Sequence, residues 1–293
     1  MSESVIADFV GSFNSEVTTR DEPVQGRVVL SQRRLVLAAS ESEKITIPLT
    51  SIFDISVGHV PDNLGDFFKS TVTVAFDRGE KRLVAGIEAD DDTIDKFATV
   101  LFKAVLNGTE VSITERARVG GRVTDDGFHS AALVLQPGAV AFRQGGDDTF
   151  EVDLGTVIEF KRTTTDINGQ KRPVIRFRHM IDGTAVTTLV ALSSPRKMSI
   201  LGRYLRLEYG DVMQELKDLD LGQDEVEVLV AIYSAGDMAG VPLASILDRE
   251  AAAVSMLLED LTEDGLVQDA ADGPSLTPKG EIVASRHLED VNG

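Results

Sequence analysis

Two stretches of the chain share one pattern of apolar and polar positions. The segments "LSQRRLVLAASESEKITIPLTSIFDI" (30–55) and "LQPGAVAFRQGGDDTFEVDLGTVIEF" (135–160) align without a gap at a constant offset of 105 residues. Alternation with period two, interrupted by Gly and Asp, is typical of antiparallel strands. The in-phase apolar residues are Leu30, Leu35, Leu37, Ile45, Ile47, Leu49, Ile52 and Ile55, matched by Leu135, Val140, Phe142, Phe150, Val152, Leu154, Val157 and Phe160. The pattern predicts that one β domain occurs twice.

Each copy is predicted to continue with two more strands and a helix. The strands are "STVTVAF" and "KRLVAGI" in the first copy and "PVIRFRHM" and "AVTTLVAL" in the second. The helices are predicted over 92–108 and 194–210, each ending at a Gly. A curled antiparallel sheet closed by a carboxy-terminal helix is the plan of a PH-like or GRAM-like domain. Such domains bind proteins or lipids more often than they catalyse reactions, an argument by analogy.

The pattern changes near residue 220 and predicts a winged helix-turn-helix domain. A first helix is followed by a short helix over 243–247 and a third over 250–264, with Gly265 as its stop signal. The stretch "LVQDAADGPSL" is predicted to be a hairpin, and Thr277 and Pro278 cap a last helix. The predicted fold class is α+β, with domains at 1–108, 109–213 and 220–293.

Composition narrows the class of protein. The net charge is −19, from 48 acidic residues against 29 Lys and Arg, while 42% of residues are hydrophobic. An acid excess in a foldable chain is typical of a salt-loaded cytoplasm, where the Debye length is roughly 3 Å at about 1 M salt and only charges in contact matter. No apolar run is long enough to span a membrane. We therefore expect a cytoplasmic protein.

Motifs of catalysis and metal binding are missing from the sequence. There is no Cys, the four His lie far apart, and no phosphate loop, dinucleotide fingerprint or nucleophile motif occurs. The acidic stretch "ADDDTIDKF" (89–97) is interpreted as the amino-terminal cap of a helix. We expect a non-enzymatic protein without a cofactor or metal.

Residues 160–206, here called the basic segment, reverse the charge of the chain. They contain ten Lys and Arg against two Asp, a net charge of +8. Ile175 and Phe177 are expected to face the core, which places Arg176 and Arg178 together on the outer face of their strand. Two cations also open the helix predicted from 194, where the helix dipole disfavours them. The segment is a candidate docking surface for an acidic partner, or an ordinary basic surface; its candidate residues are Lys161, Arg162, Lys171, Arg172, Arg176, Arg178, Arg196, Lys197 and Arg203.

The predicted third helix of the winged domain carries the wrong charge for DNA. Its outward face holds Arg249, Met256 and two Glu, and residues 220–293 contain 16 acids against three bases. DNA affinity depends on phosphate neutralisation, so such a face would repel the backbone. An exposed Met adapts well to a protein surface. Arg249 and Met256 are therefore included as candidate partner-binding residues, with a plain solvated helix as the alternative.

A long loop, "GHVPDNLGDFFKS" (58–70), carries Phe67 and Phe68. Either these rings fold back on the sheet, or they form an apolar patch that contacts a partner.

The doubled unit, the stretch "GRVVLSQRRLVLA" and the acidic winged helix ending in "LTPKG" resemble the archaeal taxis adaptor family CheF of the haloarchaeal kind. The resemblance covers nearly the whole chain and implies a non-enzymatic adaptor. It implies binding to the phosphorylated response regulator CheY, to switch proteins of the archaellum motor and to other chemotaxis proteins, near the archaellum base. It transfers no binding residue to this chain.

Two other functions remain open at this point. One is a transcription regulator whose β domains sense a ligand and whose winged helix binds DNA, supported by Arg249 at the start of the third helix. The other is a lipid-binding module, supported by the PH-like plan and the basic segment. The sequence indicates no oligomeric state.

Overall fold

A computed structural model describes residues 3–18, 20–145, 148–181, 184–217, 219–234, 243–270 and 273–292. It shows an α+β protein with antiparallel sheets. The strands are β1 (Val5–Ser15), β2 (Val24–Ser31), β3 (Arg34–Ala38), β4 (Lys44–Pro48), β5 (Ile52–Val57), β6 (Ser70–Arg78), β7 (Lys81–Ala89), β8 (Glu110–Val119), β9 (Arg122–Val123), β10 (His129–Gln136), β11 (Ala139–Arg143), β12 (Thr149–Asp153), β13 (Val157–Ile167), β14 (Gln170–Ile181), β15 (Thr184–Leu192), β16 (Val267–Ala270) and β17 (Gly273–Leu276). The helices are α1 (Asp91–Leu106), α2 (Pro195–Lys217), α3 (Gln223–Ser234), α4 (Leu243–Ile246), α5 (Ala251–Glu263) and α6 (Pro278–Asn292).

The two large sheets have the same strand order. The first runs β4-β3-β2-β1-β7-β6-β5 and the second β12-β11-β10-β8-β15-β14-β13, with β9 paired to β8 as an addition. Three strand starts, those of β3, β4 and β5, recur 105 residues later as β11, β12 and β13. The repeated unit predicted from the apolar pattern is therefore confirmed in the described residues.

The repeat persists because the in-phase residues form the cores of the two sheets. All eight in the first copy are buried, and six of the eight in the second are buried as well. Phe150 and Phe160 are half-buried. The residue at the matching position of the first copy is in each case a smaller isoleucine, Ile45 or Ile55, and it is buried. The shared pattern thus specifies which face of each strand turns inward.

By their contacts, the described residues group into two compact units. The first contains residues 1–110, 132–135 and 192–206, and the second contains 111–131, 136–191 and 207–293. In the first unit, helix α1 begins at Asp91, one residue before the predicted start, and its cap lies in the acidic stretch 89–97 as predicted: the Asp90 carboxylate accepts a hydrogen bond from the Thr93 backbone N–H at 3.0 Å. The predicted boundaries at 1–108, 109–213 and 220–293 stay a prediction.

Helix α2 is longer than the sequence indicates. It was predicted to end at Gly210, but it continues to Lys217. Gly210 keeps a helical backbone and does not adopt the positive φ that ends helix α1 at Gly108 and helix α5 at Gly265. Gly108 and Gly265 therefore end their helices, whereas helix α2 continues through Gly210.

The region after residue 220 forms three main helices, a short helix and a hairpin within the second unit. Its core includes Leu229 and Leu261 and extends to Ile158 and Met180 of the second sheet. Thr277 caps α6 as predicted, its hydroxyl accepting from the Gly280 N–H at 3.2 Å. Gly280 lies so close to the hairpin that a Cβ there would be 2.1 Å from the Leu266 carbonyl oxygen. Residues 271 and 272, at the tip of the predicted hairpin turn, lie outside the described residues.

His179 is a buried, neutral histidine in the second sheet. Its side chain is 1% exposed, and its Nε2 lies 2.9 Å from the Thr188 hydroxyl. That hydroxyl donates its proton to the Glu115 carbonyl oxygen at 2.6 Å, so Nε2 is the donor to Thr188. Burial lowers the pKa of His179 from 6.5 to about 4. The imidazole is a core group that is hydrogen-bonded to Thr188.

The buried histidine should make folding pH-dependent. Because its pKa is depressed in the folded state, the unfolded chain binds the extra proton between pH 6.5 and about 4, and stability falls as the pH drops through that window. We expect His179→Gln, which keeps a donor toward Thr188, to remove roughly 2 kcal/mol of the loss between pH 7 and pH 4.5. Urea unfolding at both pH values measures it, with His287→Gln on α6 as the control. The same pH slope in wild type and His179→Gln would contradict the assignment.

Candidate partner-binding surfaces

The second unit contains a basic cavity of about 460 Å³ on the solvent face of its sheet. We call it the arginine pocket. Its walls come from β8, the turn after it, β13, β14 and β15. Its polar lining consists of Arg118, Arg176, Arg178, Thr163, Thr164, Thr165, Thr187 and Glu159, and its apolar lining includes Ala117, Ala185 and Leu189.

Strand alternation places the arginines in the pocket. Ile175 and Phe177 are buried on one face of β14, as predicted, so Arg176 and Arg178 project from the other. Arg176 is paired with Lys161 on β13 and with Leu189 on β15, and Arg178 is paired with Glu159 and Thr187. The strand register thus brings together three predicted site residues: Lys161, Arg176 and Arg178.

Two carboxylates that the sequence interpretation overlooked lie against these cations. Glu159 accepts from Lys161 at 2.9 Å and from Arg176 at 2.7 Å. Burial acts to raise the pKa of Glu159, but the hydrogen bonds from Lys161 and Arg176 outweigh it and the pKa is lowered. Glu281 of α6 lies 3.6 Å from Arg178, and burial raises the pKa of Glu281 against the attraction of that arginine.

The pairing in the pocket is incomplete. Arg176 Nε and Glu281 Oε2 are both buried and neither makes a hydrogen bond within the described residues. A buried polar atom without a partner costs about 1–3 kcal/mol, more when charged. The isolated chain therefore holds its pocket arginines in an arrangement that different carboxylates would satisfy better.

The hairpin between β13 and β14 carries the next group of predicted site residues. Asn168 and Gly169 both have positive φ, the tight turn expected from an Asn-Gly pair. Arg162 and Lys171 are exposed on this hairpin, and Arg172 is half-buried. Of the three, none lines the pocket.

The cations of α2 have a structural role in the first unit. Arg196 pairs with Asp77 and its guanidinium lies 5.3 Å from the centre of the Phe53 ring. Arg203 makes two hydrogen bonds to Asp54, at 2.6 and 2.7 Å. The sequence interpretation took the two cations at the start of this helix as a sign of function, but the ion pair of Arg196 with Asp77 on β6 offsets the unfavourable position of that arginine.

Lys197 likewise has an intramolecular partner. Its ammonium donates to the Thr109 hydroxyl at 2.9 Å, and burial lowers the pKa of Lys197. Residues 192–206 also group with the first unit, whereas 160–178 group with the second. The basic segment is therefore divided between the two units, and the pocket residues are its best candidates for binding a partner.

Arg249 is neutralised by neighbouring carboxylates. Its guanidinium lies 2.5 Å from Asp224 and 3.1 Å from Glu227, both on α3. The hydrogen bond to Asp224 raises the pKa of Arg249, so the pair stays ionised. Arg249 was the residue that best supported DNA binding. Its guanidinium is thus already paired with carboxylates of the same chain.

The outward face of α5 is as predicted. Val254 and Leu261 are buried, whereas Met256 is 66% exposed and is followed on the same helix by the exposed residues Glu259 and Glu263. An exposed methionine on an acidic helix is suited to contact with a protein surface.

The two phenylalanines of the 58–70 loop behave differently. The Phe67 ring lies so close to Gly86 that a Cβ there would be 3.0 Å from it, which shows that this ring folds back on the sheet. Phe68 is 86% exposed, and only its backbone is held, by a hydrogen bond of 2.9 Å to the Glu88 carboxylate. Phe68 alone is therefore available for a contact patch.

Comparison with known proteins identifies the family. The model of the family described as Archaeal Chemotaxis signal transduction system protein F matches residues 5–211. The chain belongs to this CheF family. It is 48% identical over 292 residues to taxis protein CheF2 of Halobacterium salinarum, covering the whole of both chains. It is 26% identical over 297 residues to taxis protein CheF1 of the same organism, covering 99% of each.

Family membership fixes the general role as taxis signal transduction. The family model stops at residue 211, yet the alignment with CheF2 continues to the end of the chain, so the helical region after residue 220 is shared with that relative. Among the described residues, no helix is long and apolar enough to cross a membrane.

Proposed function

We propose that this CheF protein is a non-enzymatic adaptor that binds the phosphorylated response regulator CheY and couples it to the cytosolic switch proteins of the archaellum motor. The observation that carries the proposal is the division of charge within the second unit. A pocket with three arginines opens on its sheet, while its carboxy-terminal region presents acidic helices. Two surfaces of opposite charge suit a protein that connects two different partners.

The architecture supports a binding role. Two sheets of identical strand order are consistent with PH-like or GRAM-like domains, and three helices with a hairpin and a return helix are consistent with a winged helix. Both plans occur widely in interaction modules, which is support by analogy. In this proposal the winged helix binds protein and needs no phosphate neutralisation.

The transcription-regulator alternative has lost its main support. Arg249 is engaged by Asp224 and Glu227, and residues 220–293 carry 16 acids against three bases. The lipid alternative is weakened because Arg196, Lys197 and Arg203 are used inside the first unit. The proposal therefore assigns the arginine pocket to the regulator and the α5 face with Met256 to the motor side.

Reversing the charge of the pocket should weaken regulator binding. We expect Arg176→Glu/Arg178→Glu to raise the Kd for the phosphorylated regulator at least about tenfold, since each 1.4 kcal/mol of lost interaction is a factor of ten. Calorimetric titration in molar KCl measures the change. The control Arg116→Glu/Arg143→Glu makes the same charge change at two exposed positions of the same sheet outside the pocket. Equal Kd values for the two double variants would remove the regulator from this pocket.

Changing Met256 should affect the motor side without affecting the regulator. Deleting residues 220–293 is unsuitable, because their core includes Ile158 and Met180 of the sheet, which deletion would expose. We expect Met256→Lys to reduce co-purification of the archaellum switch proteins several-fold while leaving regulator affinity unchanged. Val123→Lys, at a site 73% exposed on β9, is the matched control. Unchanged co-purification with Met256→Lys would place the motor contact elsewhere.

A further inference from the structure

The arginine pocket has the form of a binding site and not of a flat charged surface. Its volume of about 460 Å³ lies in the range of about 300–1,000 Å³ typical of ligand pockets. Its lining combines guanidinium groups, threonine hydroxyls and a few apolar side chains such as Leu189. Donors thus dominate its polar lining, which suits an anionic group with several acceptor oxygens.

The carboxylates of the chain itself indicate which anion fits. Glu159 occupies Arg176 and Lys161, and Glu281 approaches Arg178. Arg176 and Arg178 are thus each matched to a carboxylate, but poorly, because the Arg178–Glu281 distance is 3.6 Å and Arg176 Nε has no acceptor among the described residues. Glu159 and Glu281 therefore act as internal substitutes: they occupy the positions at which the carboxylates of a ligand would contact Arg176 and Arg178 more closely.

We propose that the arginine pocket binds an extended acidic segment of the partner, in which carboxylates two residues apart pair with Arg176 and Arg178 and displace Glu159 and Glu281. Arg176 and Arg178 lie two residues apart on one strand face, a spacing of about 6.6 Å. Alternate side chains of an extended peptide have the same spacing. Thr163 and Thr187 line the same cavity and supply hydroxyl donors beside the two arginines.

Glu159 then controls the affinity of the pocket. In the free protein it must leave Arg176 before an incoming carboxylate can form a two-pronged contact with that guanidinium. Removing its charge should tighten binding, even though Glu159 is part of the pocket. At molar salt this effect reflects contact charges, because more distant ones are screened.

The assignment of the acidic segment to the response regulator rests on the proposed function, but the chemistry of the pocket is tested without it. The probe is a fluorescent nine-residue peptide with Glu at every second position and Gln between, and an all-Gln peptide is its control. Fluorescence anisotropy with the full chain in 1 M KCl measures the affinity. The variants are Arg176→Gln/Arg178→Gln and Glu159→Gln.

Two matched controls separate the pocket from general charge effects. Arg116→Gln/Arg143→Gln removes two exposed cations elsewhere in the sheet, and Glu151→Gln removes an exposed carboxylate on β12. Circular dichroism and thermal unfolding confirm that each variant is folded. We expect the Glu peptide to bind wild type, to weaken at least tenfold with Arg176→Gln/Arg178→Gln, and to bind several-fold more tightly with Glu159→Gln than with Glu151→Gln.

The inference is overturned by absence of Glu-peptide binding to wild type, by binding that is as strong for the all-Gln peptide, or by equal loss in the two arginine double variants. Equal affinities of Glu159→Gln and Glu151→Gln would overturn the role of Glu159 as an internal substitute. If the peptide behaves as expected but the regulator does not bind wild type, the proposed function fails and the pocket assignment is supported.

Discussion

The pairing of β13 with β14 is the constraint on which the candidate site depends. Because side chains alternate along a strand, burying Ile175 and Phe177 forces Arg176 and Arg178 onto the opposite face. The Asn168-Gly169 turn then fixes the register, so that Glu159 faces Arg178 and Lys161 faces Arg176. A slip by one residue would bury the arginines and expose the core, so the hydrophobic core and the charged pocket specify each other.

Some arginines of this acidic chain form ion pairs that hold its own elements together, whereas others line the arginine pocket. Arg203 holds α2 in the first unit through Asp54, and Arg249 holds the start of the α5 region to α3 through Asp224. Exposed pairs of this kind contribute modestly to stability, typically below about 1 kcal/mol. Their importance for function is that they remove these cations from the set available to a partner. The second unit keeps, besides exposed single cations such as Arg162 and Lys171, a concave group of arginines whose internal partners fit poorly.

Much of the fold was readable from the sequence because it depends on local patterns. The in-phase apolar residues predicted strands in both copies of the sheet, and the acidic stretch 89–97 and the Thr277 cap marked the starts of two helices. Strands β1, β8 and β9 were missed. In β1, Val5 and Val10 are exposed, so its apolar residues do not mark a buried face. The extent of α2 was also missed, since Gly210 resembles a stop signal until its backbone conformation is known.

The candidate site was only partly predictable, because some of its contacts follow from a local turn and others join residues that are far apart in the sequence. The turn at Asn168-Gly169 sets the register of the two strands that it joins. Counting residues back from this turn places Glu159 opposite Arg178, so this partner could have been found from the sequence. Arg196 and Asp77 are 119 residues apart and Arg203 and Asp54 are 149 apart, and no local pattern connects them. Long-range ion pairs of this kind decide which cations are occupied, and they become visible only in the folded structure.

The central claim is that this CheF protein recognises the phosphorylated state of a response regulator. The most direct test is calorimetric titration of the full chain with CheY of its own host in molar KCl, with and without beryllofluoride as the phosphoryl mimic. The account predicts binding that is strong with the mimic and at least tenfold weaker without it. Absence of binding in both states, or equal affinity in both, would contradict it.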